Sequence, residues 1–252
     1  MILGQIDEGY IKYRAEHTAA EPLLLVEPQV IKELLEARDY LHKLRFIGVY
    51  PNGIGFGNVS VRMKENQFII SGSATGEIEN LQKNHLCLVE KFDIAKNLVF
   101  STGSIQASSE SMTHGAIYLA NPRITCVLHI HSRKMFDRLR RLSIENKIAA
   151  AQPHFTAENI PYGTPEMAFA MMDCVKKIDK PNGIIVMLGH DEGIISFGET
   201  ISAALDEIEN VKSKIFRRNV VKNEFNRLFA VGKQIGATLP IDESDVMNEI
   251  KM

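Results

Sequence analysis

Ser108-Ser109-Glu110-Ser111-Met112-Thr113-His114, followed by Val127-Leu128-His129-Ile130-His131-Ser132, is the stretch around which the chain is arranged. Successive side chains of a strand point to opposite faces, so His129 and His131 share one face roughly 7 Å apart while Ile130 points the other way. Two imidazoles at that spacing can grip one metal ion. The apolar residues Ile124, Cys126, Val127 and Leu128 read as a buried strand with the histidines at its exit. The pair alone is read equally well as a metal site or as two strand-end histidines bonded to their neighbours. A third histidine shifts the balance: Gly183-Ile184-Ile185-Val186-Met187-Leu188-Gly189-His190 is another apolar run ending in His, followed by the turn-like Asp191-Glu192-Gly193. Three imidazoles leave a coordination position open, as a catalytic metal needs and a structural one does not. Glu110 adds a carboxylate, either a fourth ligand or a proton carrier.

Working back from this stretch, Ser108-Ser109 reads as the cap of a helix from about 109 to 120, ended by Asn121-Pro122. Free amides at such an N-terminus, with two hydroxyls, form an anion site. His114 falls on the same helix face as Glu110 and is read as a supporting or core histidine. Further upstream, Asn52-Gly53-Ile54-Gly55-Phe56-Gly57-Asn58-Val59-Ser60-Val61-Arg62 is a glycine-rich loop entering an alternating strand. No helix follows it and it lacks Gly-Lys-Ser or Gly-Lys-Thr, so a tight hairpin or bulge is preferred over a phosphate cradle. Strands are read at Gln67 to Ile70, His85 to Glu90 and Asn97 to Phe100, with the small-residue loop Ser71 to Gly76 among them. Short strands joined by short turns predict an antiparallel sheet.

Helices flank these strands. Pro28 opens a helix whose apolar residues Val30, Ile31, Leu34, Leu35, Tyr40, Leu41 and Leu44 recur at helical spacing. Arg133 to Arg141 is a basic helical segment read as a solvated or subunit-facing surface in preference to a nucleic-acid site. Pro161-Tyr162-Gly163-Thr164-Pro165 leads into a helix with a core stripe at Met167, Ala168, Met171, Met172 and Val175. Gly193 to Phe197 is a strand, and Glu199 starts a helix to about Asn219. The organisation read from this pattern is an arm over 1–27, one α+β domain over 28–220 and a tail over 221–252.

Composition narrows the class. A chain of 252 residues buries a substantial core unaided, and 45% hydrophobic with 24% charged residues is ordinary for a globular protein. A net charge of -2 gives no attraction to nucleic acid or membrane. Cys87, Cys126 and Cys174 lie far apart and read as buried thiols, and no signal peptide or membrane-length apolar run is visible, so a cytoplasmic location is expected.

Taken together, Gly57-Asn58-Val59-Ser60-Val61-Arg62, Thr75-Gly76, Ser108-Ser109-Glu110, His129-Ile130-His131-Ser132, Pro161-Tyr162-Gly163-Thr164 and His190 with Gly198 resemble the class II aldolase/adducin family over residues 30 to 215. The resemblance implies a three-layer α/β/α domain around a central, mainly antiparallel sheet, and a homotetramer with sites between subunits. It implies a divalent metal held by His129, His131 and His190, zinc first, with manganese or cobalt as alternatives. Asn58, Thr75, Gly76, Ser108 and Ser109 match positions that hold a substrate phosphate, and Glu110 matches the acid/base. The implied activity is retro-aldol cleavage of a small ketose phosphate through a metal-stabilised enediolate. Dehydration or 4-epimerisation on the same metal stays open, as does a non-enzymatic, adducin-like interaction module. Where the family has Asn-His-Gly or His-His-Gly, this chain has Gly189-His190-Asp191-Glu192-Gly193, two residues longer beside the expected metal.

Overall fold

The computed structural model describes residues 10–21, 27–144 and 154–215. Among these residues nine strands form one sheet: β1 (Arg14–Ala19), β4 (Asn58–Arg62), β5 (Phe68–Ser71), β6 (Leu86–Asp93), β7 (Leu98–Gly103), β8 (Cys126–His131), β9 (His154–Phe155), β10 (Gly183–Val186) and β11 (Gly193–Gly198). Their order across the sheet is β1-β7-β6-β5-β4-β8-β11-β10-β9. The inner pairings are antiparallel, as expected; β1 with β7 and β9 with β10, the outermost pairings, are parallel, so the sheet is mixed. A separate hairpin joins β2 (Gly48–Val49) to β3 (Gly55–Phe56), the structure read from the glycine-rich loop.

Helices cover both faces, as a sheet buried on both sides requires. On one face, α2 (Ser111–Ala120) and α4 (Pro165–Ile178) bring Met112, Ala116, Met167 and Met171 onto Phe68, Val89, Val127, Ile195 and Phe197. Alternation puts Leu128, Ile130, Ile184 and Ile194 on the opposite face, where α1 (Pro28–Lys43), α3 (Arg133–Ile144) and a helix from 201 lie. The helix starts follow their sequence signals. Pro28 occupies the first turn of α1, and the Thr164 hydroxyl caps α4 by accepting from the Met167 amide at 3.3 Å, a bond worth about 1 kcal/mol.

Two readings change. Arg14–Ala19, read as part of an arm, is an edge strand. Its exposed, charged pattern carries no alternating apolar face, so nothing marked it as a strand. Ser108-Ser109 do not cap α2: the N-cap is Glu110, without a side-chain cap bond, and the Ser108 carbonyl instead accepts from the Ser111 amide and hydroxyl. The last helix runs over 201–215; its expected continuation to 219, the Leu23 to Val26 run and the 221–252 tail lie outside the described residues. The three cysteines are free and buried, as read. No helix among the described residues is long and apolar enough to cross a membrane. Packing of the chain separates residues 1–208 from a second unit, 209–252, whose described part is the end of that last helix.

Candidate metal centre and cleft

β8 lies between β4 and β11, and this register builds the site. Asn58 on β4 and Ile195 on β11 face His129, while Gly193 faces His131. The turn before β11 therefore brings His190 to the exit of β8. That turn is closed by bonds from the His190 amide to the Met187 carbonyl and from the Gly193 amide to the His190 carbonyl, both at 2.9 Å. Gly193 is required here, because a Cβ would stand 2.5 Å from His190 Cδ2. The three imidazoles sit 4.8 to 5.1 Å apart between ring centroids, and one nitrogen from each falls within 4.8 Å of the others.

These side chains suit a cation. All three are buried, and the His129 Nε2 atom is fully enclosed without a hydrogen-bond partner among the described residues. Burial, reinforced by the mutual repulsion of the histidines, lowers the pKa of His129 and His190 well below the ordinary imidazole value. Such rings stay neutral and keep a lone pair for a metal. A buried, unpartnered ring nitrogen carries a desolvation cost that a bound cation would offset.

The cleft beside the histidines gathers the other residues singled out in the sequence. Asn58, Thr75, Gly76, Ser108, Ser109, Glu110, His129 and His190 all line it; His131 joins through the histidine cluster. Its floor is the end of β8, and one wall is the start of α2 with Glu110, only 2% exposed. The opposite wall is backbone. A Cβ on Gly76 would lie 2.1 Å from the Gly48 carbonyl oxygen, so the 72–76 loop and the β2–β3 hairpin touch main chain to main chain. The loop is held from behind by Arg38 of α1, a fully buried guanidinium that donates to the carbonyls of Thr75 (2.8 Å), Gly76 (3.4 Å), Ile78 and Glu79 (3.2 Å). The edge strand contributes too: the hydroxyl of neighbouring Tyr13 donates to the Ala107 and Ser108 carbonyls at 3.1 and 3.0 Å.

Sequence reasoning gave Tyr162 and Arg38 no role, whereas His114 stands as it was read, a supporting or core histidine. Tyr162 also lines the cleft, its ring centroid 4.5 Å from that of His190, with Lys12 Nζ 3.9 Å from the Tyr162 ring centroid. Arg38 sits on the apolar face of an amphipathic helix, where a charge is not expected. His114 is a core histidine: its Nδ1 lies 2.7 Å from the Ser60 hydroxyl, which is itself 2.7 Å from the Tyr118 hydroxyl.

Burial alone lowers the His114 pKa to about 3. Between that value and the ordinary one of about 6.5, the unfolded chain binds a proton that the folded chain refuses, so stability falls as pH drops. The metal-free protein should lose up to about 1.4 kcal/mol per pH unit from this histidine below pH 6.5. Denaturant unfolding at pH 7.5, 6.5 and 5.5 checks this; equal stability at 6.5 and 5.5 would contradict a buried neutral His114.

A sequence profile described as "Class II Aldolase and Adducin N-terminal domain" matches residues 51–214, and the chain belongs to that family. Over 126 residues it is 29% identical to a protein of Haemophilus influenzae named 3-oxo-tetronate 4-phosphate decarboxylase, matching 45% of this chain and 56% of that one. The chain thus spans little more than half the length of that curated relative. Solved structures share the fold. L-fuculose-1-phosphate aldolase from Thermus thermophilus aligns with TM-score 0.54 at 18% identity, over 85% of this chain and 100% of that one. A sugar-phosphate aldolase from Thermotoga maritima aligns with TM-score 0.56 at 16% identity, over 77% and 96%.

Proposed function

We propose that the protein is a metal-dependent lyase that breaks the carbon–carbon bond between the positions α and β to the carbonyl of a small phosphorylated substrate, with a ketose phosphate cleaved by retro-aldol reaction as the first reading. One observation carries it: three buried histidines that can share a cation meet, through His129 and His190, the same cleft as a buried glutamate and a cluster of small polar residues. His129, His131 and His190 hold the cation, zinc first, with manganese or cobalt as alternatives. A divalent ion held there supplies Lewis-acid stabilisation for negative charge developing on the substrate oxygens.

The chain's own residues do the rest. Asn58, Thr75, Gly76, Ser108 and Ser109 bind the phosphate and so fix the substrate's orientation away from the bond that breaks. In the retro-aldol step the carbinol hydroxyl gives its proton to solvent and becomes an aldehyde carbonyl, while the bonding electron pair passes onto the former ketone as an enediolate. Glu110 returns a proton to the carbon left behind. The family resemblance adds a homotetramer with sites between subunits.

The name of the Haemophilus influenzae relative favours a second reading, decarboxylation of a 3-oxo acid phosphate. There carbon dioxide leaves in place of the aldehyde, the electron pair passes to the same ketone oxygen, and one proton is again delivered to carbon. The two readings share the enolate and differ in the leaving group. Ketose 1-phosphates, ketopentose 5-phosphates and 3-oxo acid phosphates should therefore be assayed side by side. Dihydroxyacetone phosphate release from a ketose 1-phosphate is the expected result; carbon dioxide release alone would select the second reading. Dehydration or inversion without cleavage would overturn both. Sedimentation of the same preparation tests the assembly, since a stable monomer with full turnover would refute the tetramer.

A further inference from the structure

We propose that Tyr50 and Glu192 form a hydrogen-bonded relay behind His131 that fixes its tautomer for metal binding, with Arg133 anchoring the relay; this rests on the metal reading above. The Tyr50 hydroxyl lies 2.9 Å from His131 Nδ1 and 3.5 Å from Glu192 Oε2. Arg133 Nε donates to the other oxygen of Glu192 at 2.9 Å, and its terminal nitrogens donate to Asp191 at 3.0 and 3.4 Å. The two extra residues beside His190 thus pair with Arg133, and Glu192 also approaches Tyr50. Asp191 is 81% exposed and Glu192 19%, so the pair differs in kind: one trims the surface and the other reaches inward.

The order of donors follows from chemistry. Glu192 is a carboxylate and only accepts, so the Tyr50 hydroxyl donates to it and its oxygen remains to accept from His131 Nδ1–H. A proton on Nδ1 leaves Nε2 with its lone pair, the form a metal ligand needs. The same contacts join the two ligand-bearing segments: Arg133 opens α3 two residues after His131, and Glu192 follows His190 by two. Glu192 holds a left-handed backbone, φ 66°, which is strained for a residue with a Cβ. Its bonds to Arg133 and Tyr50 offset that strain. Tyr50 and Glu192 are positioning residues and touch no reacting atom.

Tyr50→Phe keeps the ring packing on Phe56, 4.4 Å between centroids, and removes only the hydroxyl. Zinc affinity of the full chain, measured by competition with a chromogenic chelator, should fall about 10–100-fold in this variant, and in Glu192→Gln by less. Arg140→Ala, which breaks the exposed pair with Glu158, should leave it unchanged. Nitrogen-15 NMR of the metal-free protein reads the tautomer directly: His131 should carry its proton on Nδ1 in the unaltered chain and lose that preference in Tyr50→Phe. Unchanged zinc affinity in Tyr50→Phe, or a proton on Nε2 in the unaltered chain, overturns the relay while leaving the metal reading intact. An unaltered chain that takes up no zinc, yet shows the Nδ1 proton and its loss in Tyr50→Phe, overturns the metal reading and keeps the relay.

Discussion

His190→Ala is expected to give a folded protein that takes up no zinc, manganese or cobalt, whereas the unaltered chain should hold about one divalent ion. The motive is geometric: His190 stands on a turn separate from β8, and among the described residues it alone closes the triangle begun by His129 and His131. Removing a ligand should cost more affinity than the roughly 10–100-fold lost when an outer partner is removed. Turnover should vanish with the metal. Elemental analysis after dialysis, with circular dichroism as a check on folding, decides the matter. Retention of a stoichiometric ion by His190→Ala would place the metal elsewhere and sink the proposed centre.

The second large effect concerns Glu110. Glu110→Gln should lower turnover by ~10²–10⁴, the range typical of a general acid or base, and leave metal content unchanged. Its carboxylate is buried at the N-cap of α2 and lines the cleft with His129 and His190. Solvent deuterium incorporation into product should fall in step with turnover, because both leaving-group chemistries end in protonation of carbon. A Glu110→Gln enzyme with near-normal turnover would assign the proton to another group.

These two predictions rest on residues that sequence reasoning found, and the reason is periodicity. His129 and His131 declare themselves by strand alternation, and His190 by ending an apolar run; both signals are local. Glu110 and the two serines stood out at a helix start, although their capping role was wrong: the helix begins at Ser111, and Ser108 bonds across the turn instead. What stayed hidden depends on contacts distant in sequence. Tyr50 lies in a turn 81 residues before His131 and is marked by nothing local. Arg38 meets its carbonyl partners 37 to 41 positions later. Arg14–Ala19 becomes a strand only because β7 offers it a free edge. Asp191-Glu192 was visible as an insertion, yet its pairing with Arg133 required the fold.

The contact between the 72–76 loop and the β2–β3 hairpin bears on how this protein can evolve. Where two peptide planes abut with no side chain between them, the local width of the cleft is a property of the polymer and not of any one residue's size. Point mutation cannot narrow or widen that side gradually; replacing Gly76 would drive a methyl group into a carbonyl and part the two loops. Gradual change has to come from the side-chain-bearing rim, where Phe56 and Tyr162 stand. A library built to shift substrate size should therefore vary those two aromatics and leave the glycines untouched.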